Sequence, residues 1–329
     1  MRDRVGRRPF SLCAGFASLL AAAALVLAAS PWIGEWAAVL DAVSPAWPAA
    51  PILAVGALAL ACPRGIGAAV ALVALALCVP ILLAVPHPDA APQGGFRLRV
   101  VTHNVWVDNV DPTNTAAALA ASGADLILLQ EVDKQFANTL PLLRRLYPYA
   151  NPCRQRCALA ILSRYPIERV RYRFRDADGR QVGPGLIHTR VHLPNGAVVP
   201  VATIHLSRGR APGADRRQRA ALAGAVAGAS DKRSLILAGD LNLVPWSARL
   251  RWLDEALAPM RRVTAVPSWP ARVGGRAFPV PLVPIDHLYA GPDWNVAAVR
   301  RLDRTGSDHY PVAVDLVWHG PNAMVTMSR

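Results

Sequence analysis

The chain has 329 residues, and 53% hydrophobic content with a mean hydropathy of +0.25 is too apolar for a wholly soluble protein. The apolar excess lies in residues 1–85; the remainder carries 31 Lys/Arg against 19 Asp/Glu, most of the net charge of +14. That balance favours anionic partners such as phosphate esters, nucleic acid or anionic headgroups, and about 240 residues can bury a core without disulfides.

Three apolar segments come first. Residues 10–30 hold 21 residues without a charge, enough to cross a bilayer of about 30 Å at 1.5 Å per residue. Residues 46–62 are shorter, and residues 66–85 are again of full length; Pro31, Pro45, Pro48, Pro63 and Gly65 punctuate the breaks. A cleaved signal peptide is the competing reading of the first segment, but its apolar run is long for one and two more follow. Arg2, Arg4, Arg7 and Arg8 orient the N-terminus inward. Three spans then place the rest of the chain outside the cell membrane, and two would place it inside. Residues 1–85 are thus expected to be a multi-pass membrane region, 86–95 a Pro/Gly-rich linker, and 96–329 a catalytic domain, extracytoplasmic on the three-span count. Cys13, Cys62 and Cys78 lie in apolar stretches, whereas Cys153 and Cys157 form a pair suited to a disulfide in an oxidising compartment.

Beyond residue 95, β-branched and Leu-rich runs alternate with stretches of helical period. Strands are expected at 97–103, 125–130, 158–162, 186–193, 198–204, 234–238, 285–289 and 311–317, and helices at 112–122, 133–146, 213–227 and 246–258. Some strands follow helices and some follow strands directly, so a mixed-sheet α/β architecture is expected.

The residues able to do chemistry share one position: each sits where an apolar strand ends. Val100-Val101-Thr102-His103 delivers Asn104, Leu126–Gln130 delivers Glu131, and Val201–Ile204 delivers His205. Leu235–Gly239 delivers Asp240 and, two residues on and hence on the same side of an extended chain, Asn242. Asp286 and the Ser307-Asp308-His309 run complete the set. Ionised groups are expensive inside a sheet but can converge at its rim, where ligands bind. One such residue is usually a loop cap; six such points together are not.

In chain order these segments resemble the endonuclease/exonuclease/phosphatase superfamily, the DNase-I-like fold, over residues 97–318. The matching elements are Asn104, Gln-Glu-Val at 130–132, Ala-Ile-Leu-Ser-Arg-Tyr-Pro-Ile at 160–167, Thr-Ile-His-Leu at 203–206, Gly-Asp-Leu-Asn at 239–242, Ile-Asp-His at 285–287 and Ser-Asp-His-Tyr-Pro-Val at 307–312. The resemblance implies a four-layer sandwich of two mixed β-sheets flanked by helices, here preceded by about three transmembrane helices. It implies Mg²⁺ or Mn²⁺ as cofactor and a phosphate ester as substrate: nucleic acid, phospholipid or a small ester.

Glu131 is expected as the carboxylate ligand of a hard cation, with Asn104 and Asp308 beside it. His309 is expected as general base or phosphate-polarising imidazole, and the resemblance gives it Asp286 as orienting acceptor. Asp240 would handle the water or the leaving oxygen, and Asn242 and His205 would hold the phosphoryl oxygens. His287, adjacent to Asp286, is expected to point the other way and be structural. Arg208 and Arg210 are candidates for substrate contact, and Trp246 and Trp269 either stack on a base or headgroup or pack in the core. Neither a nucleophile-elbow pattern nor a Gly-rich phosphate loop is present. The expected reaction is in-line attack of water on phosphorus, by a nuclease or by a lipid or small-molecule phosphoesterase, with no obligatory protein partner. A membrane scaffold that keeps the fold without turnover is the reading from another class.

Overall fold

The computed structural model describes residues 8–33, 43–60, 66–84, 86, 88–89, 94–153, 157–174, 178, 180–207 and 213–320. The packing divides the chain into two units: Met1–Val85 with Leu243–Trp252, and Pro86–Asn242 with Leu253–Arg329.

The first unit holds α1 (Arg8–Ile33), α2 (Ala49–Leu60) and α3 (Ile66–Leu83). The helices meet through small residues, Ala21, Ala24 and Ala28 on α1, Ala50, Ala54 and Ala57 on α2, and Ala71, Ala74 and Cys78 on α3, all buried. Small side chains at helical spacing let backbones approach closely, which is how apolar helices associate without a hydrophobic driving force. Leu19, Ile52, Leu72 and Leu83 stay exposed on the outer faces. Two of the three segments expected as spans, Cys13–Ile33 and Ile66–Leu83, are long and apolar enough to cross a membrane; the third is a 12-residue helix, shorter than a bilayer. Most charges used to orient the spans, Arg2, Arg4, Arg7 and Arg64 among them, lie outside the described residues. Trp246 is packed here, its ring 5.3 Å from that of Trp47 and its Nε1 donating to Ser44 O, so it stacks on protein rather than on a ligand.

The second unit is built from two six-stranded sheets. One runs β13 (Trp294–Arg301), β14 (Val312–Trp318), β1 (Phe96–Asn104), β2 (Leu126–Val132), β4 (Ala158–Ser163), β3 (Tyr149–Ala150). The other runs β5 (Arg171–Tyr172), β6 (Gly185–His192), β7 (Val198–His205), β8 (Ile236–Asp240), β12 (Asp286–Ala290), β9 (Arg261–Arg262). Each sheet holds one parallel pair, β1 with β2 and β7 with β8, among antiparallel neighbours. β10 (Arg272–Val273) and β11 (Arg276–Ala277) form a separate hairpin.

Alternation along the strands makes the layers. Leu98, Val100, Leu126 and Leu128 from one sheet pack against Val199, Val201, Ile236 and Leu288 from the other. The intervening residues Val101, Ile127 and Leu129 face α4 (Pro112–Ala121), α5 (Lys134–Ala137) and α6 (Leu140–Leu143). Helix α7 (Ala214–Ala227) buries Leu222 and Val226, and α8 (Ala248–Ala256) follows β8 in the chain. The mixed α/β sandwich is therefore as expected.

Two local expectations need correction. Residues 133–146 form two short helices rather than one, because Asp133 caps the first, accepting from Phe136 N, and Pro141 opens the second. Strand β13 has no counterpart among the expected strands: only Trp294 and Val296 are deeply buried, and the run ends in Arg300-Arg301, so it lacks the apolar alternation of an edge-facing strand.

Candidate active site

A parallel pair sends both its C-terminal ends to the same edge, and each sheet has one. Asn104 and Glu131 end β1 and β2, His205 and Asp240 end β7 and β8, and His205 and Asp240 are register partners. Antiparallel β12 starts where β8 ends, so Asp286 pairs with Asp240. The turn before β14 adds Asp308 and His309. Seven expected site residues thus meet at one rim, and Asn242 joins them just past β8.

Asn104 is the hub. Its Nδ2 donates to Glu131 Oε1 at 2.9 Å and to Asp240 Oδ2 at 3.0 Å, while its Oδ1 accepts from Trp106 N at 2.9 Å. Val107 N donates to Glu131 Oε2 at 3.2 Å. His205 Nε2 stands 3.7 Å from both Glu131 Oε1 and Asp240 Oδ2, and Asn242 Nδ2 lies 3.4 Å from the same nitrogen. Asn242 is fixed by its own N–H to Asp240 Oδ1 at 2.8 Å and by Nδ2 to Leu206 O at 2.8 Å. Deeper in, His309 Nδ1 and Asp286 Oδ2 are 2.8 Å apart, and His309 Nε2 points between Asp240 Oδ2 at 3.8 Å and Asp308 Oδ1 at 3.9 Å.

Two backbone features make this convergence possible. Gly239 has φ +156°, and a Cβ there would stand 1.8 Å from Ile204 O, so only glycine lets β7 and β8 close at this point. Glu131 and Asn242 both adopt left-handed φ, 57° and 52°. At Glu131 the β2–β4 register slips between Gln130 and Val132, a bulge that re-aims the side chain.

Burial sets the electrostatics. Desolvation raises the Asp240 carboxyl, against the pull of His309 and His205. At Asp286, burial acts upward but the charge and hydrogen bond of His309 outweigh it, so the group stays low. His309 shows the converse: burial acts downward, yet Asp286, Asp240 and Asp308 lift it to about 10, so at neutral pH it is an imidazolium. Burial also raises Asp308, whose Oδ2 accepts from Trp269 Nε1 at 3.2 Å. Trp269 is therefore a brace for Asp308. His287 is fully buried on β12, in keeping with a structural role.

The donor set fits a hard divalent cation. Glu131, His205 and Asp240 offer ligand atoms all within 4.8 Å of one another. Asp308 Oδ1 is buried with no hydrogen-bond partner, an orphaned oxygen that a cation would satisfy. Arg208 and Arg210 lie outside the described residues.

The sequence marks Ser307 as part of its run but gives it no role. Its hydroxyl donates to Asn104 O at 2.7 Å and accepts from His309 N at 3.0 Å, tying the two sides of the rim together. A Ser two residues before a site His is a local turn signal, which was available. Nor does the sequence give a role to Gln130, whose Nε2 donates to Thr102 and Thr203 and bridges the sheets beneath the site. A glutamine at the end of an apolar strand gives no sign of its cross-sheet partner.

The model of the Endonuclease/Exonuclease/phosphatase family matches residues 101–309, which span this whole rim. The chain belongs to that family. Phosphoester hydrolysis is accordingly the chemistry the site must account for. Among solved structures, the chain is similar to an endonuclease/exonuclease/phosphatase from Beutenbergia cavernae (22% identity, 68% of this chain and 72% of that one, TM-score 0.53). It is also similar to one from Bacteroides vulgatus (13%, 68% and 99%, TM-score 0.56) and to D. rerio TDP2 complexed with single-strand DNA product (17%, 67% and 98%, TM-score 0.53). At these identities the likeness establishes the fold alone. No curated protein matches the chain.

Proposed function

We propose that this protein is a membrane-anchored phosphoester hydrolase, dependent on Mg²⁺ or Mn²⁺, in which water attacks phosphorus in line with the leaving oxygen. The observation that carries the reading is the convergence of Glu131, His205, Asp240, Asn242, Asp286 and His309 at one rim, with Asn104 and Asp308 between them. A divalent cation held by Glu131, with Asp308 and Asn104 alongside, would neutralise charge on the phosphoryl oxygens and the leaving group.

The protein's own groups divide the remaining work. Asp240 orients the attacking water and takes its proton, a task suited to a carboxyl whose proton affinity burial has raised. His309, an imidazolium fixed by Asp286 on Nδ1, keeps a proton on Nε2 and offers it to a phosphoryl oxygen as charge grows there. Of the two roles considered for this histidine, base and polariser, the raised proton affinity favours polariser. His205 and Asn242 donate to the remaining phosphoryl oxygen.

Two helices of crossing length support the anchor. Two spans alone would leave the second unit inside and a third would leave it outside; the Cys153–Cys157 disulfide supports the outside, oxidising location. The full chain in detergent is expected to hydrolyse bis(p-nitrophenyl) phosphate with Mg²⁺ or Mn²⁺ and to stop in EDTA. Hydrolysis surviving in both Glu131→Ala and His309→Ala would overturn the assignment. A phosphatase reporter fused after residue 95 should be active only if that point lies outside. A panel of DNA, RNA, phospholipid and sugar phosphates then separates the substrates, with single-stranded DNA included because the D. rerio relative holds it.

A further inference from the structure

A cavity among the described residues of the second unit stands apart from the catalytic rim. It lies on the outer face of the sheet containing β6 and β7, beside the C-terminal end of α7, and measures about 320 Å³. Its floor is apolar, from Leu186, Pro200, Ala202, Val226, Leu235 and Leu237. One wall is arginine.

That wall comes from a pattern in the edge segment Ile167-Glu168-Arg169-Val170-Arg171-Tyr172-Arg173-Phe174. Val170 and Tyr172 pack inward on the core, so Arg171 and Arg173 must face out, and Arg169 lines the same cavity. Arg171 pairs with His188 on β6, and Arg173 N donates to Leu186 O. Arg190, also in the wall, is neutralised by Asp231 at 2.5 Å and Glu168 at 3.7 Å. Among the described residues, Arg169, Arg171 and Arg173 have no acidic partner. The half-buried His188 is pushed down by burial and then by Arg173 and Arg171.

Alternate residues of an extended chain recur about every 6.7 Å, of the order of the repeat between phosphates in an extended nucleic-acid strand. We propose that Arg169, Arg171 and Arg173 form a docking row for the phosphodiester backbone of single-stranded nucleic acid, with the apolar floor receiving a base. A single row beside a floored groove matches one strand, whereas a lipid surface calls for a flat, projecting patch. The row also has a direction. Leu186, level with Arg173, is paired with Ile204, and the next pair on β6 and β7 is Gly185 with the site residue His205. A strand lying along the row therefore leads towards the catalytic edge. This deepens the hydrolase reading by naming its substrate class, but the binding itself does not depend on that reading.

The test uses the full chain in an uncharged detergent with a fluorescein-labelled 20-mer of oligo-dT, in EDTA to prevent cleavage, followed by anisotropy across a salt series. Wild type should bind, and Arg169→Gln/Arg171→Gln/Arg173→Gln should bind at least tenfold more weakly. The slope of log affinity against log salt should fall by about 2, since each single-strand phosphate contact contributes about 0.7. The triple Lys variant should retain most of the slope. Hydrolysis of bis(p-nitrophenyl) phosphate with Mg²⁺ should be unchanged in both, which also reports that they fold. Unaltered oligonucleotide affinity, or a loss confined to micelles doped with phosphatidylglycerol, overturns the proposal and leaves the hydrolase intact. Absence of ester hydrolysis in wild type would instead overturn the hydrolase reading and leave the docking row standing.

Discussion

The two sheets contribute unlike halves to one rim. The β1–β2 side supplies Glu131, whose side chain is 23% exposed and is held by Asn104 Nδ2 and Val107 N. The β8–β12 side supplies Asp240 and Asp286, 2% and 0% exposed, with His309 wedged against them. An open carboxylate exchanges ligands with solvent readily, and a buried charge cluster holds protons firmly. On the proposed mechanism, one half of the site takes up the cation and the other manages protons.

The largest expected effects test the buried half. His309→Ala or Asp240→Asn should lower kcat/KM by roughly 10³–10⁴-fold, and excess Mg²⁺ or Mn²⁺ should restore neither. Glu131→Gln should cost roughly 10²–10³-fold and be partly restored by raised metal, because the lost function is affinity. If metal rescues the buried variants as well as Glu131→Gln, the division between halves is wrong. Asp286→Asn should cost roughly 10²-fold and move the alkaline limb of the pH–rate profile to lower pH, since it removes the main partner that keeps His309 protonated. An unmoved limb would mean that another group sets it.

A smaller effect concerns stability. The folded-state pKa of His309, about 10, lies above its ordinary value of 6.5, so its charge stabilises the fold fully below about pH 6.5 and less as pH rises through 10. In EDTA, the Tm gap between wild type and His309→Gln should be widest near about pH 6 and close by about pH 10–11. A gap that widens with pH contradicts the assignment.

The strand-end rule was legible because apolar runs that stop abruptly on Asn, Glu, His or Asp leave a visible mark. Asn104, Glu131, His205 and Asp240 carried that mark, and the central strands β1, β2, β7 and β8 emerged within one or two residues of expectation. What was not legible depends on distant partners. β13 is a strand because β14 pairs with it over Trp294–Arg301, not through its own alternation. Trp246 could be read as stacking surface or core, and its partner Trp47, far away in the chain, decides for packing. The arginine row at 169–173 was unreadable for a different reason: without knowing that Val170 and Tyr172 face the core, alternating arginines look like any solvated stretch. Crossing length in the middle apolar segment was overestimated because proline and alanine read as apolar while the helix itself spans only 12 residues.

The left-handed backbone at Glu131 sets activity against robustness under laboratory selection. Asn242, also left-handed, tolerates that conformation; a glutamate in it costs roughly 1 kcal/mol or more. Glu131→Gly should therefore raise the stability of the inactive protein above that of Glu131→Ala by about 1 kcal/mol, measured by denaturant unfolding in detergent. A library screened for thermal robustness alone would accumulate glycine or asparagine at position 131 early. Its most robust members would be catalytically silent.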